Sequence, residues 1–256
     1  AKTLYYENSA VVGANLSGLT ILNEQYGLVT GDGIRRIDLR SLNNVRIKNE
    51  RLLCFYNSII YNGKVLSNDT YKDESKVKYY DVNELIAAKE GEAPAVTELD
   101  IIQKQKINFV LAKDGNVYTL ESADNGCNIV KIKNDFTLEK VFANFQPAKG
   151  PYHSSPTIGM VASETENIIY LVSTDGAIYK YILGDSDSLK APFIAAESGV
   201  SITAPLQLNQ QSGELYVTYT EERKDESKIV VYSKDGKVLH TVDCGESVPS
   251  QILFNN

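Results

Sequence analysis

Apolar and polar residues alternate with a period of two along most of the chain, and turn residues break the alternation at short intervals. That is the mark of half-buried strands joined by hairpins. Runs such as Ile168–Ser173, Ala177–Leu183, Glu214–Thr220 and Lys228–Ser233 are rich in Tyr, Val, Ile and Thr, which suit a pleated surface. Asp-Gly pairs stand between such runs at Asp32-Gly33, Asp114-Gly115, Asp175-Gly176 and Asp235-Gly236. Asp-Gly accepts the positive φ of tight hairpin turns. One segment, Val82–Lys89, reads as a turn or two of helix.

The strands recur in groups. Equivalent strands begin near Lys76, Asn128, Ala177 and Lys228, spaced by about 50 residues. Earlier copies begin near Ile34 and Lys2. A four-stranded antiparallel unit at this period predicts an all-β fold, a β-propeller of about six or seven blades, in a single domain over residues 1–256. The clearest blade runs through Ile107–Ala112, Asn116–Ser122, Cys127–Lys133 and Thr137–Ala143. The next comprises Thr157–Ser163, Asn167–Ser173, Ala177–Leu183 and Ala191–Ala196. A third comprises Thr203–Asn209, Gly213–Thr220, Ser227–Ser233 and Lys237–Asp243. A shorter blade covers Leu19–Lys48 and a looser one Arg51–Ile101. The strands Lys2–Asn8 and Ser250–Phe254 are expected to close one blade together, leaving no open sheet edge between the termini.

Composition narrows the chemistry. The formal charge is −7, which argues against a nucleic-acid binder that relies on phosphate neutralisation. No apolar run approaches the length of a membrane helix. The first residues lack the profile of a signal peptide, so the protein is either cytoplasmic or exported by a signal upstream of the given chain. Two histidines, His153 and His240, and three cysteines, Cys54, Cys127 and Cys244, cannot furnish a His- or Cys-rich metal site. The cysteines read as small buried hydrophobes. No nucleophile elbow, P-loop, dinucleotide fingerprint or HExxH motif occurs. Asp185-Ser186-Asp187 lacks a Glu at calcium-loop spacing and reads as an exposed turn. No cofactor or metal is called for.

The last repeat, Ser212–Phe254, resembles the C-terminal signature of YncE-like, YVTN-type β-propellers of Bacteroidetes surface lipoproteins. The matching features are a G-x-hydrophobic-Y-V-T strand (Gly213–Thr218), a hydrophobic-Y-x-x-D-G-K hairpin (Val231–Lys237) and a closing strand that runs from Gly245 through Pro249 to Phe254. The opening Lys2–Val12 is similar to the start of such domains. The resemblance implies an exported protein, periplasmic or on the outer-membrane surface, with a lipid anchor upstream. Some relatives capture nutrients, corrinoids among them, but no motif here points to a corrinoid.

In a propeller, the loops joining second and third strands share a face with the inter-blade loops, around the mouth of the central channel. The inter-blade segment Pro147–Pro156 holds three of the seven prolines and carries Tyr152 and His153. On this logic they converge with Tyr71, Asp124, Asn125, Asp175, Glu221 and Arg223. Tyrosine offers a flat apolar face with a polar tip. These residues suit a binding module for a small molecule, glycan or peptide. The alternatives are a propeller lyase or hydrolase using Asp124, Asp175 and Glu221, which requires close carboxylates, and a protein–protein scaffold.

Overall fold

The computed structural model describes residues 18–31, 33–48, 58–68, 75–92, 94–103, 109–148, 159–221, 226–246, 252 and 254. Contacts gather into two compact units, Ala1–Gln105 and Lys106–Asn256. The described residues form five open antiparallel sheets with almost no helix.

The first unit holds two sheets. The first comprises β1 (Gly18–Ile21), β2 (Tyr26–Gly31), β3 (Gly33–Asp38) and β4 (Asn44–Lys48), paired in chain order. The second comprises β5 (Ile59–Tyr61), β6 (Lys64–Asn68), β7 (Ser75–Asp81) and β8 (Val96–Gln103), also paired in order. Alternation sends Leu28, Ile34 and Ile47 from the first sheet into one buried cluster with Val65 and Tyr80 from the second. The expected short helix, α1 (Val82–Ala87), lies between β7 and β8 and adds buried Leu85 to that cluster. Its cap is Asp81, whose carboxylate accepts from the N–H groups of Asn83 (2.8 Å) and Glu84 (3.1 Å). Such a cap satisfies donors that the first helical turn leaves unpaired. At the other end Arg36 donates to the carbonyls of Ile86 and Ala88, and its guanidinium lies 5.2 Å from the Tyr26 ring centre. Arg36 therefore ties the first sheet to the helix of the second.

The second unit holds three sheets. The third sheet comprises β9 (Val110–Leu111), β10 (Val117–Ala123), β11 (Gly126–Ile132) and β12 (Leu138–Phe145). The fourth comprises β13 (Met160–Ala162), β14 (Ile168–Val172) and β15 (Ile178–Ile182). The fifth comprises β16 (Val200–Ile202), β17 (Gln207–Leu208), β18 (Leu215–Glu221), β19 (Ser227–Tyr232) and β20 (Val238–Gly245). The core is layered. Ile169 and Leu171 of β14 pack with Tyr118 and Leu120 of the third sheet, whereas Ile168, Tyr170 and Val172 pack with Leu215, Val217 and Tyr219 of the fifth. One strand thus feeds two layers, because consecutive side chains point to opposite faces.

Two expectations need correction. Ala191–Ala196 is not a fourth strand: it makes a single bridge, Ile194 to Ile178. Pro192 has no N–H to give a ladder, and a 3-10 turn at Ser186–Leu189 takes up the preceding chain. Of the first strand expected of the last repeat, Thr203–Asn209, only β17 forms; β16 comes before it, and Ala204-Pro205 lies between the two. The first strand of the fourth sheet is interrupted too. Pro147 pairs with Ser173 and Met160 with Leu171, so two residues thirteen apart in sequence sit opposite positions only two apart, one in β14 and one just past its end.

Outer strands differ in their protection. Lys76–Asp100 and Lys78–Glu98 pair across β7 and β8, and Lys133, just after β11, pairs with Glu139 of β12. Strand β20 instead shows exposed Val238, Leu239 and Val242. Cys127 is buried as expected, and burial pushes its thiol up to about 11. Cys244 is only half-buried, and Cys54 lies outside the described residues.

Candidate functional site

Four of the eight sequence-predicted site residues, Tyr71, Tyr152, His153 and Arg223, lie outside the described residues. The other four, Asp124, Asn125, Asp175 and Glu221, belong to the turns or strand ends that join the second and third strands of the three sheets in the second unit.

Asp124 and Asn125 form the two-residue tip between β10 and β11, closed by the pair Ala123 and Gly126. Both side chains are exposed. Gly126 has φ +109, and a Cβ placed there would collide with the Gln146 side chain. Only glycine allows this close approach without strain. Gln146 Nε2 donates to the Asn125 carbonyl at 2.7 Å.

Gln146 also reaches the next turn. Its carbonyl accepts from the N–H of Thr174 at 2.9 Å, and two residues on the Ala148 N–H donates to the Val172 carbonyl at 2.9 Å. Gln146 therefore holds the Asn125 turn and the Thr174–Asp175 turn together. The chain enters residues 149–158, which include Tyr152 and His153, directly after Ala148 and leaves them at Gly159. Gln146 was missed in the sequence. The available signal was its place just ahead of the proline-rich segment, but its hydrogen bonds belong to two other repeats.

Asp175 is turned into its own loop. Its carboxylate accepts from the Ser173 hydroxyl and from the Ala177 N–H at 3.1 Å, and these bonds, the Ser173 one foremost, hold its pKa below the usual carboxylate value. A carboxylate so engaged shapes the turn. On the far side of this turn a Cβ at Gly176 would sit 3.9 Å from that of Ala196. The adjacent Glu197 accepts from Lys228 at 2.9 Å, at the start of β19. Glu221 ends β18 in the same hairpin, its N–H donating to the Glu226 carbonyl at 2.9 Å. Gln146 thus ties the Asn125 turn to the Thr174–Asp175 turn, and a separate ion pair ties Glu197 to the start of β19.

A second polar group lies on β10 and β11. Asn128 donates to Glu121 at 2.8 Å, and Lys140 of β12 lies 3.6 Å from the same carboxylate. Such pairing directs these groups to one another. Asp185 accepts from the Asp187 N–H at 3.0 Å and caps the 3-10 turn, while Asp187 pairs with Lys190 at 2.9 Å. The Asp-x-Asp segment is a turn device.

What the described site offers is a set of turn tips with amide, carboxylate and backbone groups, two of them held to one another through Gln146. The model of one protein family, described as a domain of unknown function (DUF5074), matches residues 1–255. The chain belongs to this family. No curated protein matches this DUF5074 chain. Among solved structures, two mutants of prolyl oligopeptidase B from Galerina marginata, each bound to a 35mer hydrolysis and macrocyclization substrate, share its fold. Their TM-scores are 0.56 and 0.57, at 12% and 11% identity, over 92% of this chain. The DUF5074 chain spans 36% of the length of those proteins. At this identity the likeness speaks for a propeller-like, all-β fold alone.

Proposed function

We propose that this DUF5074 domain is a non-catalytic, exported binding module. Its ligand, a small molecule, glycan or peptide, is held where the turns between second and third strands gather on the second unit, beside Tyr152 and His153. Each sheet serves as one blade of the propeller-like fold. The observation that carries the reading is Gln146, which fixes the Asn125 turn against the Thr174–Asp175 turn just ahead of that segment. Turn tips set on rigid strands are where binding residues concentrate. The commitment of Asp175 to Ser173 and Ala177 favours binding over acid–base chemistry, which needs a carboxylate able to exchange protons. Export to the periplasm or outer surface rests on the resemblance of Ser212–Phe254 to lipoprotein propellers, and fractionation of the native cell tests it.

The ligand test is a thermal-shift screen over oligosaccharides, peptides and cofactors, corrinoids included. A stabilising compound is expected, and both Gln146→Ala and the double variant Tyr152→Ala, His153→Ala should abolish the shift while keeping the unliganded melting temperature within a few degrees. A hit that survives both variants places the ligand elsewhere; a screen with no hit at all removes the reading.

A further inference from the structure

We propose that strand β20 is a contact between two copies of this chain, which pair edge to edge and antiparallel about a two-fold axis close to Thr241. The inference does not rest on the ligand reading. It starts from the way each sheet ends. β4 carries Arg46 and Lys48, β8 carries Glu98 and Asp100 in ion pairs with Lys78 and Lys76, and β12 carries Glu139 and Lys140. On β15 the chain covers its own edge: Ile178 exchanges both backbone bonds with Ile194, and the Ile182 N–H donates to the Ser188 hydroxyl at 2.9 Å. Charge and cover are the ordinary guards of an open edge.

β20 is guarded far less. Among the described residues its only strand partner is β19. Seven of its eight residues are exposed, with Val238 at 58%, Leu239 at 43% and Val242 at 51%. The register with β19 slips by a residue at Leu239 and again at Cys244, so His240–Asp243 is the regular stretch open to a new ladder. That stretch places the axis close to Thr241.

The charge along the strand names the occupant. Lys237 stands at one end, and Asp243 and Glu246 at the other, with no Lys, Arg, Asp or Glu between Lys237 and Asp243. Asp235 lies further out, on the turn, and Lys234 is drawn to Glu166 at 2.6 Å. An antiparallel copy sets the Lys237 end of each chain against the Asp243 end of the other, twice, and lays the apolar stretches on one another. Opposite charges across a ladder attract and like charges repel. A surface that complements itself in this way is what a two-fold contact requires. So short a contact buries less than the roughly 1,200 Å² of a standard interface, so the dimer is weak and forms only as concentration rises.

The test is sedimentation velocity on the full chain at low salt, from about 10 μM to about 1 mM, the range in which a weak contact shows. The wild type should pass from monomer to dimer and stop there. Lys237→Glu alone and Asp243→Lys alone should each weaken the dimer by roughly tenfold or more, since either reversal sets like charges together at both ends. Mixed in equal amounts, the two variants should pair again, because each chain then offers the charge that the other lacks. Both should melt within a few degrees of the wild type, as exposed substitutions do. A wild type that stays monomeric at the highest concentration overturns the proposal and leaves the edge to a different polypeptide. A dimer indifferent to the reversals, a mixture that fails to pair, or growth beyond the dimer overturns it as well.

Discussion

Single residues here act mostly through the turns they close. Asp38 shows the pattern: the Gln25 side chain and the N–H groups of Ser41 and Arg40 hold its carboxyl at about 2. Asp175 is held low by Ser173 and Ala177, and Asp81 by Lys64 and the Glu84 N–H. A carboxyl with a lower pKa folded than unfolded stabilises the fold above its unfolded pKa of about 3.9, and that contribution is lost as pH falls toward the folded value. Urea midpoints should therefore be nearly level from about pH 7 to 5 and fall as pH drops from about 4 toward 2. Asp38→Asn should flatten part of that fall; a variant with the wild-type acid slope would deny Asp38 this role. The turns at Asp114-Gly115, Asp175-Gly176 and Asp235-Gly236 were legible in the sequence because a short turn is specified by its own residues. The role of Gln146 was not, since its partners are distant in sequence and its type carries no motif.

At the scale of the element, the strands follow their alternation closely. The third sheet matches the expected segments, and α1 falls within the one stretch read as helical, where Asp81 supplies the cap and Leu85 the buried face. The misreadings share a cause. Ala191–Ala196 and Thr203–Asn209 are apolar enough to be strands, but Pro192 and Pro205 remove ladder donors, and apolarity alone does not reveal which carbonyl a segment will meet. Strand β20 carries one charged residue, Asp243, and three exposed large apolar side chains. Edge strands are ordinarily guarded by charge. Val242→Lys should change unfolding free energy by less than about 0.5 kcal/mol, as an exposed substitution does, while raising the concentration at which the protein stays monodisperse in light scattering. A loss of several degrees in melting temperature would mean that Val242 is packed in solution.

At the scale of the whole molecule, the period of about 50 residues correctly announced a series of similar sheets, and the layering follows from it. Strand β14 serves two layers, so the buried apolar side chains of the second unit fall into two clusters between sheets instead of one core. What the candidate face binds was not legible, because a ligand is chosen by the meeting of several turns and each repeat encodes only its own. Leu215, fully buried between the fourth and fifth sheets, should cost about 2–5 kcal/mol when changed to Ala. Because neighbouring repeats share interfaces, hydrogen exchange should quicken in β14 as well as β18, and more than in β11. Uniform acceleration across all three would point to a single cooperative unit. The interrupted first strand of the fourth sheet carries a different consequence. Pro147 and Met160 rest opposite positions two apart, Ser173 just past β14 and Leu171 within it, whatever joins them, and closing a longer connection between fixed ends costs little extra. The frame can thus accept foreign peptides between Ala148 and Gly159 without renegotiating its ladder, which makes this position a natural graft point for new recognition sequences, in evolution or at the bench.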